Sequence, residues 1–234
     1  MSDDLPAAPT PTRDVHAAHD GAPARAALVG ERLWLDFVNT DDVRALGLAR
    51  DTPARGRAPD VLADFDAFVS WLQAAGVLDA ERAAGMRRRA LQQPAGAGAA
   101  LVDARRVRAA LRALAERGAR HDGVRRDALA EINRVLGRSA GTRRLELRDD
   151  GSFARTFVPV GDAFAGLLIA VVESAADALI DGELERVRRC GDQRCARVFY
   201  DATKNGRRRW CDMATCGNRA KAARHRMRSS SARV

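Results

Sequence analysis

The four cysteines of this 234-residue chain, Cys190, Cys195, Cys211 and Cys216, all fall near its C-terminal end, and they fall in pairs. Four residues separate the members of each pair, and fifteen separate the pairs. Two close pairs joined by a loop are the arrangement of a structural zinc site. Thiolates are soft ligands, and four of them satisfy tetrahedral Zn²⁺ completely, leaving no open position for catalysis. Free structural cysteines or a redox dithiol are the competing readings. Gly191 and Asp192 follow the first cysteine, and Gly217 and Asn218 follow the last. Such turns are expected to aim backbone N–H groups at the sulfurs.

A segment this small cannot build a large core. Its apolar residues are Val198, Phe199, Trp210, Met213 and Met227. Metal binding, worth about 10–16 kcal/mol in small zinc peptides, would supply the missing stability. Phe199 and Trp210 are expected to pack under the metal; exposed, they would instead be platforms for stacked bases.

The same segment holds the charge. From Glu183 to Val234 there are 15 Lys and Arg against 5 Asp and Glu, whereas the rest of the chain holds 25 against 26. The entire basic excess therefore sits beside the cysteines, a two-module design. After Cys216 the residues read as a helix with Asn218 as its cap. Ala220, Ala223 and Met227 would face inward, and Lys221, Arg224, His225 and Arg228 would form a basic face. Arg207, Arg208 and Arg209 form a second cluster before Trp210. Like charges so crowded repel one another, and a polyanion is the partner that relieves them. Arg207, Arg208, Arg209, Lys221, Arg224 and Arg228 are the expected phosphate contacts, with a merely solvated basic face as the alternative. Arg219 lies on another side of the helix and is expected to serve folding as much as binding. DNA is the expected partner, though these residues alone do not separate DNA from RNA or choose a groove. His225 is left off the metal because four thiolates close the site.

The remainder is 28–182, preceded by a polar, Ala- and Pro-rich stretch, 1–27, that is expected to be disordered. That stretch has no secretory pattern. The most apolar run, Ala163 to Val172, is far short of the roughly 20 residues a bilayer needs. A cytoplasmic protein without a membrane partner is expected. The chain is 46% hydrophobic but only 5% aromatic, so its core must be Leu, Val and Ala, which favours helices. LVGERLWLDFVNT, 28–40, fits a strand or a helix equally well. Asp60 is expected to cap a helix with the stripe Leu62, Phe65, Val69 and Leu72, stopped by Gly76. Asp79 caps a basic helix ending before Pro94, and the GAGA stretch that follows reads as a flexible link. A third helix, from Ala99 to Arg117, carries Leu101, Ala104, Arg108, Leu111 and Ala115 on one side. A fourth carries Leu129, Ile132, Val135 and Leu136 and ends at Gly137. Alternation on either side of Asp149-Asp150-Gly151 predicts a β-hairpin. Asp162 then caps an apolar helix over 163–181, ending at Gly182. The fold class is α+β: a mostly helical N-terminal domain, 28–182, with one β-hairpin, then a small four-cysteine zinc module, 183–234, ending in a basic helix.

The N-terminal domain shows no glycine-rich phosphate loop after a strand, no HExxH and no cysteine nucleophile. No enzymatic activity is expected. Asp36, Asn39, Thr40 and Asp41 either line a small-molecule pocket or cap the end of an element. A domain without chemistry joined to a basic module fits a sensor of a small-molecule effector or an oligomerisation unit forming a homodimer. Two functions remain: a DNA-binding transcriptional regulator, or an enzyme or ligand-binding protein whose zinc module serves stability or protein contacts. The location of the charge favours the first.

The stretch Cys190-GDQR-Cys195-ARVFYDATKNGRRRW-Cys211-DMAT-Cys216-GNRAKAARHRMR resembles a CGNR zinc finger, named for the run found here as Cys216, Gly217, Asn218, Arg219. The RRWC run at Arg208 to Cys211 and FYD at Phe199 to Asp201 fit the same pattern. Upstream, GERLWLDFVNT, Gly30 to Thr40, resembles the opening of the ABATE domain, which commonly precedes this finger in bacterial proteins. The resemblance implies Zn²⁺ on the four cysteines, nucleic-acid binding by the finger and a role in stress-related transcription. It implies no particular ligand or reaction for the N-terminal domain.

Overall fold

The computed structural model describes residues 30–41, 60–117, 120–147 and 153–231. The expected tail 1–27 lies outside them. Within the described part of 28–40, the ambiguity resolves as a helix, α1 (Leu33–Val38), followed by a 3₁₀ turn, Asn39–Asp41. Trp34, Leu35, Phe37 and Val38 are all wholly buried. A helix buried on nearly every side, its one polar residue Asp36 included, belongs inside a core with other elements packed around it. Here α4 and α6 supply much of that packing.

The second helix, α2 (Phe65–Ala74), begins later than expected. Asp64 is its cap, accepting from the Ala67 N–H at 2.8 Å. Asp60 instead closes the preceding turn through the Leu62 N–H and holds both outer nitrogens of Arg108. Gly76, at φ 72°, ends the helix in the left-handed conformation that glycine adopts without strain. Asp79 caps α3 (Ala80–Gln92) as expected.

The GAGA stretch is not a link. It forms the first turns of α4 (Pro94–Arg117), with Pro94 at the first helical position, where its missing N–H costs nothing. Small residues are needed there because a Cβ on Gly96 would lie 3.0 Å from the Phe164 ring. Helix α5 (Asp122–Arg138) buries Ala128, Ile132 and Val135, while Leu129, expected on that stripe, is 47% exposed.

Strands β1 (Gly141–Leu147) and β2 (Phe153–Pro159) form the expected hairpin, with Gly141 opposite Pro159 and Leu147 opposite Phe153. The long apolar helix is split: Asp162 caps a 3₁₀ turn, Ala163–Gly166, and α6 (Ile169–Ile180) starts afresh. Phe157 packs against Gly166 at that break.

A further 3₁₀ turn, Glu183–Arg186, leads into β3 (Val187–Arg189), which pairs antiparallel with β4 (Val198–Tyr200). Side chains of successive strand residues point to opposite faces, and β4 uses this to divide two cores. Val198 joins the main core with Leu184 and Val187, while Phe199 joins the cysteines. The chain thus enters its cysteine segment inside the helical core. Helix α7 (Asn218–Ser231) closes the described chain. Helices, one hairpin and a four-cysteine module ending in a helix make the architecture α+β.

Candidate metal centre and basic helix

The four sulfurs come together, all within 4.8 Å of one another. Cys195 and Cys211 are 3.7 Å apart, and Cys211 and Cys216 are 3.8 Å apart. Tetrahedral bonds of about 2.3 Å to zinc place sulfurs about 3.8 Å apart, so these spacings fit the ion. All four cysteines are at most 9% exposed.

The electrostatics point the same way. Four buried thiols cannot all ionise without a compensating cation. The Cys211 contact, aided by the Arg197 N–H, holds the Cys195 thiol down at about 5. Cys211 is driven far up by that same contact and by burial, and burial pushes Cys216 up to about 12. A dication held by the four cysteines would remove this conflict by stabilising every thiolate together.

Backbone turns position the sulfurs, but not by aiming the expected N–H groups at them. The Gly191 N–H donates to the Arg209 carbonyl at 2.8 Å, and the Gly217 N–H to Asp212 at 3.1 Å. These bonds tie each knuckle to neighbouring backbone. Gly217 is required sterically, since a Cβ there would lie 2.7 Å from Met213 Sδ. Asp212, not Asn218, caps the last knuckle: it accepts from the N–H groups of Ala214 and Thr215 at the start of a π turn, Met213–Gly217. Asn218 instead opens α7 and donates back to the Ala214 carbonyl.

Phe199 is fully buried against the cysteines, and Trp210 is half-buried beside them, as a packing role requires. Met213 and Met227 are 47% and 70% exposed and add little core. The expected inward face of α7 is therefore confined to the half-buried Ala220 and Ala223.

The six basic candidates separate. Lys221, Arg224 and Arg228 are exposed on α7, and Arg207 and Arg209 are exposed in the loop before Trp210. Arg209 lies over the Trp210 ring at 5.3 Å. Arg208 is different. Its guanidinium donates to Glu31 and to the carbonyls of Trp210 and Cys211, and it lies 4.8 Å from the Phe199 ring centre. Its N–H donates to Asp201, a fully buried carboxylate that also takes the Thr203 N–H and hydroxyl. Burial raises the Asp201 carboxyl, but these bonds outweigh it and hold it below the ordinary range. Arg219 pairs with Asp192 across the module at 2.9 Å, the structural part expected of it.

Sequence reasoning missed the residues that seat this module on the helices. Asn39 is 2% exposed, and its amide bonds both backbone groups of Val198, accepting from its N–H at 2.9 Å and donating to its carbonyl at 2.8 Å. The Tyr200 N–H donates to the Gly30 carbonyl, and Arg112 donates to the Ala196 carbonyl. The Gly30 N–H is held in turn by Asp36, whose other oxygen is buried without a partner. Burial pushes that carboxyl up to about 7. The expected polar cluster at 36–41 is thus a capping and docking element: Thr40 bonds the Phe37 carbonyl and receives Arg108, and Asp41 receives Arg112. Asparagine beside a strand of unknown partner carries no sequence signal for this role; only the density of polar residues in an apolar run marked the place.

Among the described residues no helix is long and apolar enough to cross a membrane. No curated protein matches the chain. Residues 186–229 match the CGNR zinc finger model, and residues 31–182 match the ABATE model, described as a putative stress-induced transcription regulator. The helical body and the four-cysteine module therefore coincide with these two regions in order, and the chain belongs to the ABATE family, with a CGNR zinc finger following that domain.

Proposed function

We propose that this protein is a zinc-dependent, DNA-binding transcriptional regulator whose finger holds DNA while the helical body senses an effector. The observation that carries the reading is the exposed cationic surface beside the closed four-thiolate centre. Lys221, Arg224 and Arg228 lie on α7, which starts two residues after the ligand Cys216. Arg207 and Arg209 lie just before the ligand Cys211, in a separate segment. A metal that fixes both segments fixes these charges relative to one another. Long cations held in place release condensed counterions when they meet phosphates.

Zinc on Cys190, Cys195, Cys211 and Cys216 is structural in this reading. It lets the thiolates coexist and holds the knuckles, and all four positions are protein ligands. Arg208 belongs with the scaffold, since its donors are already committed to Glu31, Trp210 and Cys211.

The test is duplex DNA binding by the full zinc-loaded chain, read by fluorescence anisotropy across a salt series. With about five cations engaged, log K should fall against log salt with a slope of about −4 to −5. A chain that binds duplex DNA equally well after zinc is stripped contradicts the proposal.

A further inference from the structure

A cavity of about 570 Å³ opens between the turn joining α2 to α3, α6 and the hairpin, inside the range of roughly 300–1,000 Å³ typical of small-molecule sites. Leu33, Val77, Leu78, Phe157 and Ile169 give it an apolar lining. Thr156 also lines it, and its hydroxyl oxygen is buried without a hydrogen-bond partner.

The charges around the cavity select the ligand. Its three arginines already hold carboxylates: Arg32 holds Glu183, Arg82 holds Glu146, and Arg143 holds Glu173. An entering anion would have to displace one of them. The carboxylates are less evenly matched. Asp177 and Asp181 line the cavity one helical turn apart at the C-terminal end of α6 and have no ion-pair partner among the described residues. That end of a helix carries the negative pole of its dipole, and the last turn of α6 has no basic residue to offset it. A cation at the cavity mouth is what this electrostatic pattern lacks.

One wall of the cavity also reaches the finger. Arg32 donates to Glu183 at 2.8 Å, and its guanidinium lies 4.1 Å from the ring centre of Tyr200 on β4. Glu183 follows Asp181 by two residues, so a cation drawn to Asp177 and Asp181 enters the field of the same carboxylate that holds Arg32.

We propose that this cavity binds an organic cation with an apolar body and a protonated amine, and that its arrival weakens the Arg32–Glu183 pair and loosens β4 from the body. The proposal rests on the reading of the body as a sensor, and it gives that sensor a site, a ligand class and a route to the finger.

The test uses the full zinc-loaded chain and three probes with one tail: decylamine, decanoate and decanol. Isothermal titration calorimetry should show saturable decylamine binding, one per chain, at least tenfold tighter than either other probe. Asp177→Asn with Asp181→Asn should weaken decylamine at least tenfold; both side chains are exposed, so the variant is expected to fold, which circular dichroism checks. Hydrogen exchange should show the Tyr200 and Asp201 amides, which bond Gly30 and Arg186, exchanging at least fivefold faster with saturating decylamine. No decylamine binding, equal binding of decanoate, or an unaffected double variant would overturn the ligand assignment. Unchanged exchange at Tyr200 and Asp201 would overturn the route to the finger. Neither measurement involves DNA, so a failure of DNA binding is recognised separately.

Discussion

Replacing Asn39 by alanine removes the side chain that completes the backbone of β4. The amide accepts from the Val198 N–H at 2.9 Å and donates to the Val198 carbonyl at 2.8 Å. Val198 is fully buried and Asn39 nearly so, so water cannot substitute without opening the interface. A buried backbone group left unpaired costs about 1–3 kcal/mol, and two are lost together. The expected destabilisation is therefore roughly 2–5 kcal/mol, measured by urea unfolding with zinc held in excess. Asn39→Asp keeps the acceptor but sets a carboxylate oxygen against the Val198 carbonyl in a dry site, so it should cost at least as much. Zinc should leave both variants faster in the presence of a chelating dye, because β4 also carries Phe199 under the cysteines. A loss below about 0.5 kcal/mol for Asn39→Ala, the usual scale of an unimportant surface change, would refute the argument.

Cys211→Ser should reduce bound zinc, measured by metal analysis, from about one ion per chain to under a tenth of that, while far-ultraviolet circular dichroism retains the signal of α1–α6, whose core is a separate cluster. Asp36→Asn should stabilise the protein more at pH 8 than at pH 5. The folded carboxyl, raised by burial to about 7, binds a proton the unfolded chain has already released, so wild-type stability declines as pH rises from about 4 to 7 and the cost of the buried charge is complete above that. A carboxyl held at about 7 instead of its ordinary 3.8 corresponds to roughly 4 kcal/mol at most, and chemical denaturation at the two pH values checks the sign. Arg208→Ala should cost about 1.5–3 kcal/mol through its charge-assisted bonds and leave the salt slope of DNA binding unchanged; a slope flattened by about one unit would return Arg208 to the phosphate surface.

Much of this molecule is legible where local chemistry decides. Cysteine spacing, the caps at Asp79 and Asp162 and the alternation on either side of the hairpin turn all act through near neighbours in sequence. The misreadings share a cause, which is contact between distant segments. The GAGA stretch looks flexible until Phe164 is seen against Gly96. Asp60 resembles a cap because its partner Arg108 lies 48 positions away. Residues 28–40 fitted two periodicities because α1 is buried on every side and so shows no polar face to fix the phase. Within the finger, the clustering of Cys190, Cys195, Cys211 and Cys216 was readable from their spacing. The division of Arg207–Arg209 was not, because alternate residues of an irregular loop face different surroundings, and only Arg208 meets Glu31 and Phe199.

The central claim is that α7 presents its cations to phosphate from a zinc-held finger. It is tested most directly by comparing the wild-type chain with Arg224→Ala plus Arg228→Ala on one duplex across a salt series. Both residues are exposed, two or more helical turns along α7 from Cys216 and not among the four clustered cysteines, so zinc content should not change. With two phosphate contacts removed, binding should weaken and the slope of log K against log salt should flatten by roughly 1–2 units. Unchanged affinity and slope, with zinc retained, would contradict the account and leave the basic helix a solvated surface.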